Sequence, residues 1–434
     1  MEQLTIQTLA SWFGMETDDT REVRHVATDS RDGNEDGLFV PIIGARVDGH
    51  DFIDAAVQKG AIVTFWEQGR PLPEGIVAIP VESPLKALQE AAARYLAEID
   101  PFVVAITGSN GKTSTKDMVA VVLGEKFKTH KTAGNFNSDV GLPLTVLRMP
   151  RDTEVAVLEM GMNGFGQIEL LSKLAKPDVA FVTNIGESHG EQVGGRSGIA
   201  KAKLEIKAGL KPDGVLIVDA DEPLLANEGY RVGYDATADG KLEVVESTFD
   251  ASIFRYNNEF YELKVLGAHQ IRNAAYAIAC GLKLGLDHET IQRGLNRVQL
   301  TSMRMEKQMF GDAHLINDAY NASPTSMIAA IETVKTLEGF SRRVLVLGDM
   351  YELGTDEQAQ HESVGHVITA PVTDCVLIGD KAKWIAQGIS DPRVNVTMVP
   401  TVEEAKALLS SYQRPQTVIL LKASRGLALE RLVQ

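Results

Sequence analysis

Four short runs of uninterrupted apolar residues, each followed by a helix-like stretch, limit what the middle of this chain can fold into. They are Phe102-Val103-Val104-Ala105-Ile106, Val155-Ala156-Val157-Leu158, Val179-Ala180-Phe181-Val182 and Val215-Leu216-Ile217-Val218. A strand with one face in water alternates apolar and polar residues; a run that is apolar at every position must be covered on both faces. A parallel sheet between two layers of helix meets that demand, so the region reads as an α/β domain. A further set of runs at 344–347, 375–378 and 418–421 predicts a second doubly wound, Rossmann-like unit at the C-terminal end.

The N-terminal part carries shorter pieces, at 37–44 and 61–65, followed by a helical stretch from Pro84 to Ile99. Ser83 suits the capping position of that helix and Pro84 its first turn, while Asp100-Pro101 ends it. The expected organisation of the 434 residues is therefore three α/β domains: a smaller one at 1–98, a central parallel-sheet domain at 99–310 and a C-terminal domain at 311–434.

Composition narrows the partners. A net charge of −16 argues against nucleic acid or an anionic membrane surface, yet leaves room for a phosphate-bearing ligand held by a local loop. Cys280 and Cys375 each lie in an apolar run, as buried free thiols of a reducing compartment would. The start of the chain lacks the pattern of a signal peptide, and no window approaches eighteen uninterrupted apolar residues. A cytoplasmic, monomeric enzyme is expected.

The strongest local signal is Thr107-Gly108-Ser109-Asn110-Gly111-Lys112-Thr113-Ser114, directly after one buried run and before a helix. Glycines let backbone N–H groups turn inward on a phosphate, the helix N-terminus adds partial positive charge, and Lys112 supplies a full one. Thr113 is placed to offer its hydroxyl to Mg²⁺. The usual spacing would put a further glycine at 106, where this chain has Ile106, so the loop is a variant form. A central P-loop domain of the ATPase type is expected, and the loop alone leaves open whether the nucleotide is hydrolysed, transferred or used as a switch.

Those loop residues resemble the nucleotide loop of the Mur ligases, the ATP-dependent enzymes that build the peptide stem of bacterial peptidoglycan. Other stretches extend the resemblance over nearly the whole chain. Leu158-Glu159-Met160-Gly161 looks like the strand whose glutamate holds Mg²⁺, and Thr183-Asn184-Ile185-Gly186-Glu187-Ser188-His189 like the segment whose histidine reaches a second metal. Lys203-Leu204-Glu205-Ile206 matches a helix bearing a carbamylated lysine; Lys201 and Lys207 lie close by, but Lys203 has the family spacing to Ile206. The stretch from His269 to Ala275 resembles the adenine-side helix, with Asn273 on the base. Arg304 resembles the arginine that meets the phosphates, and Asp318 the residue that closes on the ribose. Gln270, Ser138 and Ala423 depart from the residues usual at their positions.

Three further stretches point to the branch of the family that joins D-alanyl-D-alanine to the UDP-N-acetylmuramoyl-tripeptide. They are Gly134-Asn135-Phe136-Asn137 with 141–144, then 347–354, and lastly 421–426. The tetrapeptide Asp-Asn-Pro-Arg, expected of the sister enzyme that adds diaminopimelate, is absent. Ser30, Arg31, Asp48, Gly49 and His50 lie in segments resembling the uridine-nucleotide-binding domain of both sister enzymes.

The chemistry such a ligase performs explains the residue types. Hydroxide is a poor leaving group, so the γ-phosphate of ATP is moved onto the substrate carboxylate, and the amine then displaces phosphate. Anions crowd together in both steps and cations must neutralise them. The resemblance assigns that work to Lys112, Arg304 and two Mg²⁺ ions, with Thr113, Glu159, His189 and carbamylated Lys203 as metal ligands. It places Asn135 and Asn137 near the substrate. Lys422 and Arg425 follow a buried-type strand; they either meet a substrate carboxylate or serve as capping and surface charges. Asp318 and Asn273 also admit plain structural readings, as turn chemistry and as a helix-surface amide. Another ligase of the family, a folylpolyglutamate synthase, or a P-loop switch without turnover are the alternatives.

Overall fold

The computed structural model describes residues 4–32, 34–186 and 193–433. Its strands form three sheets. The first has four parallel strands in chain order: β1 (His25–Ala27), β2 (Gly37–Phe39), β3 (Ala61–Glu67) and β4 (Val77–Val81). The helix Pro84–Ile99 has the bounds read from the sequence. Ser83 caps it by accepting from the Lys86 amide, and Asp100 ends it in the left-handed conformation at φ 50°.

The central sheet has nine strands: β5 (Phe102–Thr107), β6 (Thr129–Lys131), β7 (Val155–Glu159), β8 (Val179–Val182), β9 (Val215–Asp219), β10 (Tyr230–Gly233), β11 (Gly240–Ser247), β12 (Ser252–Tyr256) and β13 (Glu259–Leu263). Their order is β13-β12-β11-β10-β9-β8-β5-β7-β6. All four apolar runs are strands of its parallel part, with β5 between β8 and β7. The parallel part is extended at one edge, where β11, β12 and β13 pair antiparallel. Residues of these three strands alternate between buried and exposed, so they present one covered face and no continuous apolar run.

The third sheet holds β14 (Glu306–Phe310), β15 (Ala313–Asn317), β16 (Arg342–Gly348), β17 (Asp374–Ile378), β18 (Asn395–Val399) and β19 (Thr417–Lys422), ordered β14-β15-β19-β16-β17-β18. It is parallel apart from the edge strand β14. Because β14 pairs with β15, we propose that the division between the second and third domains falls before Glu306 rather than at 310. The first division is not a break in packing. Helix Pro84–Ile99 shares one apolar cluster with Ala105, Leu142 and Leu158 of the central domain, and Tyr95 donates to the Met149 carbonyl at 2.8 Å. Among the described residues, no helix is long and apolar enough to cross a membrane.

Candidate active site

The variant phosphate loop joins β5 to helix Lys112–Leu123, and its glycines are required by two different constraints. A Cβ on Gly108 would stand 1.8 Å from the Thr183 hydroxyl, so the neighbouring strand end leaves no room for a side chain. Gly111 has φ +80° in front of the helix, where an L-residue is strained, and a Cβ there would come within 2.8 Å of Asn273 Oδ1. The segment after β8 braces the loop from beneath. The Ser109 amide donates to the Asn184 carbonyl (3.1 Å), the Asn110 amide to Asn184 Oδ1 (2.8 Å), and the Thr183 hydroxyl to the Asn110 carbonyl (2.6 Å).

Charge gathers inside this loop. The Lys112 amine curls back onto the carbonyls of Gly108 (2.8 Å) and Ser109 (3.2 Å). Burial lowers its pKa, Glu159 opposes that shift and Arg304 reinforces it. Glu159, at the end of β7, accepts from Asn137 through one oxygen at 2.8 Å; its other oxygen is buried without a partner. Arg304 reaches in from the far side: it donates to the Thr113 hydroxyl at 3.2 Å and lies 4.2 Å from the centroid of Tyr320. Lys203 is 4% exposed, and burial followed by repulsion from Lys112 lowers its pKa well below the usual lysine value. Lys201 on the same helix is exposed.

The third sheet closes the space opposite. The Lys422 amine lies on the Asp318 carboxylate at 2.5 Å and donates to the Asn321 carbonyl at 3.1 Å, while the other Asp318 oxygen accepts from the Met305 amide. Ser323 donates to Asn110 Oδ1 at 3.2 Å, directly joining the two domains. A cavity of about 300 Å³ lies between them, lined by the phosphate loop, Glu159, Arg304, Asp318 and Lys422. It stands at the carboxyl ends of β5, β7, β15 and β19, where open α/β sheets bind ligands.

Models of known families match three parts of the chain: "Mur ligase family, catalytic domain" at 22–96, "Mur ligase middle domain" at 106–281 and "Mur ligase, glutamate ligase domain" at 303–425. The UDP-N-acetylmuramoyl-tripeptide–D-alanyl-D-alanine ligase of Bacillus subtilis is 44% identical, over 95% of this chain and 93% of its own length.

The chain belongs to the Mur ligase family.

The Escherichia coli ligase of the same name is 34% identical over 94% of this chain and 92% of its own. Among solved structures, MurF from Acinetobacter baumannii superposes with a TM-score of 0.89 at 30% identity, covering 100% of this chain and 98% of that one. MurF from Thermotoga maritima in complex with ADP gives 0.83 at 28% identity, covering 94% and 96%.

Within this Mur ligase, the cavity brings together Ser109, Asn110, Gly111, Lys112, Thr113 and Ser114 with Asn135, Asn137, Glu159, Asn273, Arg304, Asp318 and Lys422. His189 lies outside the described residues. Asn273 faces the cavity, but its carboxamide accepts from the Thr115 hydroxyl and donates to Gln270, so the residue at one of the family departures is its partner. Lys422 is tied to Asp318 and not to open space. Arg425 is apart from the cavity, exposed and paired with Glu430 at 2.5 Å. Ser30, Arg31, Asp48, Gly49 and His50 do not line it either. Arg31 pairs with Asp29, and Asp48 accepts from the His50 ring and from Arg70 around the short turn that starts at Gly49.

The sequence reading missed four residues. Thr183 and Asn184 stood in the quoted histidine segment with no role of their own, and Tyr320, two residues after Asp318, was not singled out. His269 was quoted with the adenine-side helix; it lines the cavity with a buried, unpartnered Nδ1, and burial pulls its pKa down to about 4. Only an unpaired polar atom in three dimensions marks such a residue.

Proposed function

We propose that this chain is an ATP-dependent ligase that joins D-alanyl-D-alanine to UDP-N-acetylmuramoyl-tripeptide through an acyl phosphate, as a cytoplasmic monomer. The observation that carries the reading is the convergence of a phosphate loop, a partnerless buried glutamate oxygen and a cross-domain arginine on one cavity. Those groups suit a transferring phosphoryl group, whose charge must be met from several sides at once. Lys112 and the loop amides hold the β- and γ-phosphates. Arg304, delivered with the C-terminal domain, neutralises the oxygens that carry charge as the phosphoryl group moves. Asn137 fixes the orientation of Glu159, and Thr113 presents its hydroxyl beside Arg304.

The donor set also fits Mg²⁺. Glu159 and Thr113 offer oxygen ligands, which a hard cation prefers. When bound, the ion shields the phosphate charges; the remaining positions suit water and the nucleotide. Lys203 suits carbamylation, because reaction with CO₂ requires a neutral amine and burial favours that form. Specificity for the dipeptide rests on two stretches that meet in the third sheet. The Ser424 amide donates to the Asp349 carbonyl and the Tyr351 amide to the Ser424 hydroxyl, so 347–354 and 421–426 are joined just past the ends of β16 and β19.

Purified protein with ATP and Mg²⁺ should release phosphate only when both the UDP-linked tripeptide and D-alanyl-D-alanine are present. Phosphate release that ignores either substrate, or a preference for a free amino acid over the dipeptide, would refute the assignment.

A further inference from the structure

The segment between helix His288–Asn296 and β14 carries Arg304 across the domain boundary in a conformation that needs support. Met303 and Met305, on either side of the arginine, both have positive φ, 62° and 50°. A non-glycine residue in that region is strained, and such backbone persists only where surrounding contacts over-determine it. From the C-terminal side the contacts are plain: Met305 donates to Asp318, Tyr320 to the Met303 carbonyl, and Met303 to Glu306.

From the central domain the contact is Asp117. It lies on the helix of the phosphate loop, four residues after Thr113, so the two side chains share a face one turn apart. Thr113 meets Arg304; Asp117 Oδ2 accepts from both the amide (3.2 Å) and the hydroxyl (2.8 Å) of Thr301. Its other oxygen is paired with Lys131 at 2.7 Å, and Lys116 lies 3.5 Å away. Asp117 is only 2% exposed. Burial opposes its ionisation, but the two lysines and Thr301 outweigh that and hold its pKa below the ordinary aspartate value.

We infer that Asp117 is a positioning residue for phosphoryl transfer: by gripping Thr301 it holds the strained linker against the phosphate-loop helix and sets Arg304 over Thr113. The inference rests on the reading of Arg304 as the residue that meets the phosphates. Neither Asp117 nor Thr301 touches the reacting atoms. Their effect passes through the arginine, which distinguishes it from a general contribution to folding.

The test is a double-mutant cycle on the full-length enzyme, read as kcat and KM from phosphate release. Thr301→Val removes the hydroxyl at constant size, Thr301→Ser keeps it, and Asp117→Asn removes the charge. Thr301→Val and Asp117→Asn should each lower kcat about 5- to 10-fold, with KM for the UDP-linked tripeptide unchanged and Thr301→Ser close to the parent. Arg304→Ala should be severely impaired, and Thr301→Val should then lower kcat no further, because residues that act as a unit are non-additive. Full kcat in both single variants, or a loss by Thr301→Val that multiplies undiminished onto Arg304→Ala, overturns the positioning role. Normal turnover by Arg304→Ala alone overturns the reading of the arginine instead, and the inference with it.

Discussion

A lysine ammonium needs water or a counter-charge, and Lys203 sits 4% exposed with a second cation, Lys112, acting on it. Choosing it over Lys201 rested on spacing to Ile206 alone; burial supplies an independent reason, since Lys201, two residues earlier and on the opposite side of the helix, faces solvent. The sign of the linkage is fixed by the lowered pKa. Between the folded value and the unfolded 10.5, the unfolded chain binds more protons, so burying this amine destabilises the fold at neutral pH. That penalty fades as pH rises towards 10.5. With CO₂ excluded, so that the amine is free, Lys203→Met should therefore raise the thermal midpoint at pH 7.5, and the gain should shrink in alkaline buffer. Lys203→Ala should lose about 10³-fold in turnover, roughly 4 kcal/mol of transition-state stabilisation, with partial rescue by short carboxylic acids. Lys201→Ala should keep most activity. Near-normal turnover of Lys203→Ala, or a lower midpoint for Lys203→Met with CO₂ excluded, would count against a buried, functional amine. Sequence spacing could name this residue, but not show that it is desolvated.

The strand–loop–helix unit from Phe102 to Leu123 is the element that sequence describes best, because each of its signals is local. Five apolar residues make a covered strand, and glycines make the turn. The helix that follows starts at the lysine. Its braces were illegible because they are separated from it by more than seventy residues: Thr183 and Asn184 come from the end of β8. A different, local limit hid β11, β12 and β18, whose half-exposed faces break the apolar pattern. Gly108→Ala tests the brace from one side, because its Cβ must displace Thr183 or push the loop out of register. ATP binding measured by calorimetry should be lost, while the UDP-linked substrate still binds. Asn184→Ala removes the acceptor for the Asn110 amide and should weaken ATP about tenfold, equivalent to about 1.4 kcal/mol for a buried amide left unpaired. Unchanged ATP affinity in both variants would mean that the loop holds its shape without the second strand.

At the scale of the molecule, the proposed reaction requires two domains to stay together, since it assigns Arg304 and Asp318 to a nucleotide held by the other one. Bridging through the cavity was legible in the sequence for Asp318, which lies beyond 310, but not for Arg304, which falls inside the central range 99–310 read there. A second attachment away from the cavity was not legible. The turn between β11 and β12 carries Phe249 into the third domain, edge-on to His314 (4.6 Å between centroids) and to Phe340 (5.7 Å). Lys307 on β14 locks the turn by donating to the carbonyls of Phe249 (3.1 Å) and Asp250 (2.9 Å), and its charge lies 5.5 Å from the Phe249 ring centroid. An aromatic anchor with a cation over it is worth about 1–2 kcal/mol when half-buried. Nothing in a polar turn sequence, Ser247-Thr248-Phe249-Asp250, separates such an anchor from an exposed phenylalanine. If the turn holds the domains closed, Phe249→Ala shifts the balance towards the open arrangement by that amount, and ATP must then supply the difference on binding. Small-angle scattering should show a larger radius of gyration for ligand-free Phe249→Ala than for the parent, returning to the parent value with an ATP analogue and the UDP-linked substrate. KM for ATP should rise about tenfold while kcat at saturation changes little, because the phosphate site itself is intact. A variant with the parent's radius and the parent's KM would show that the cavity contacts alone hold the two domains together.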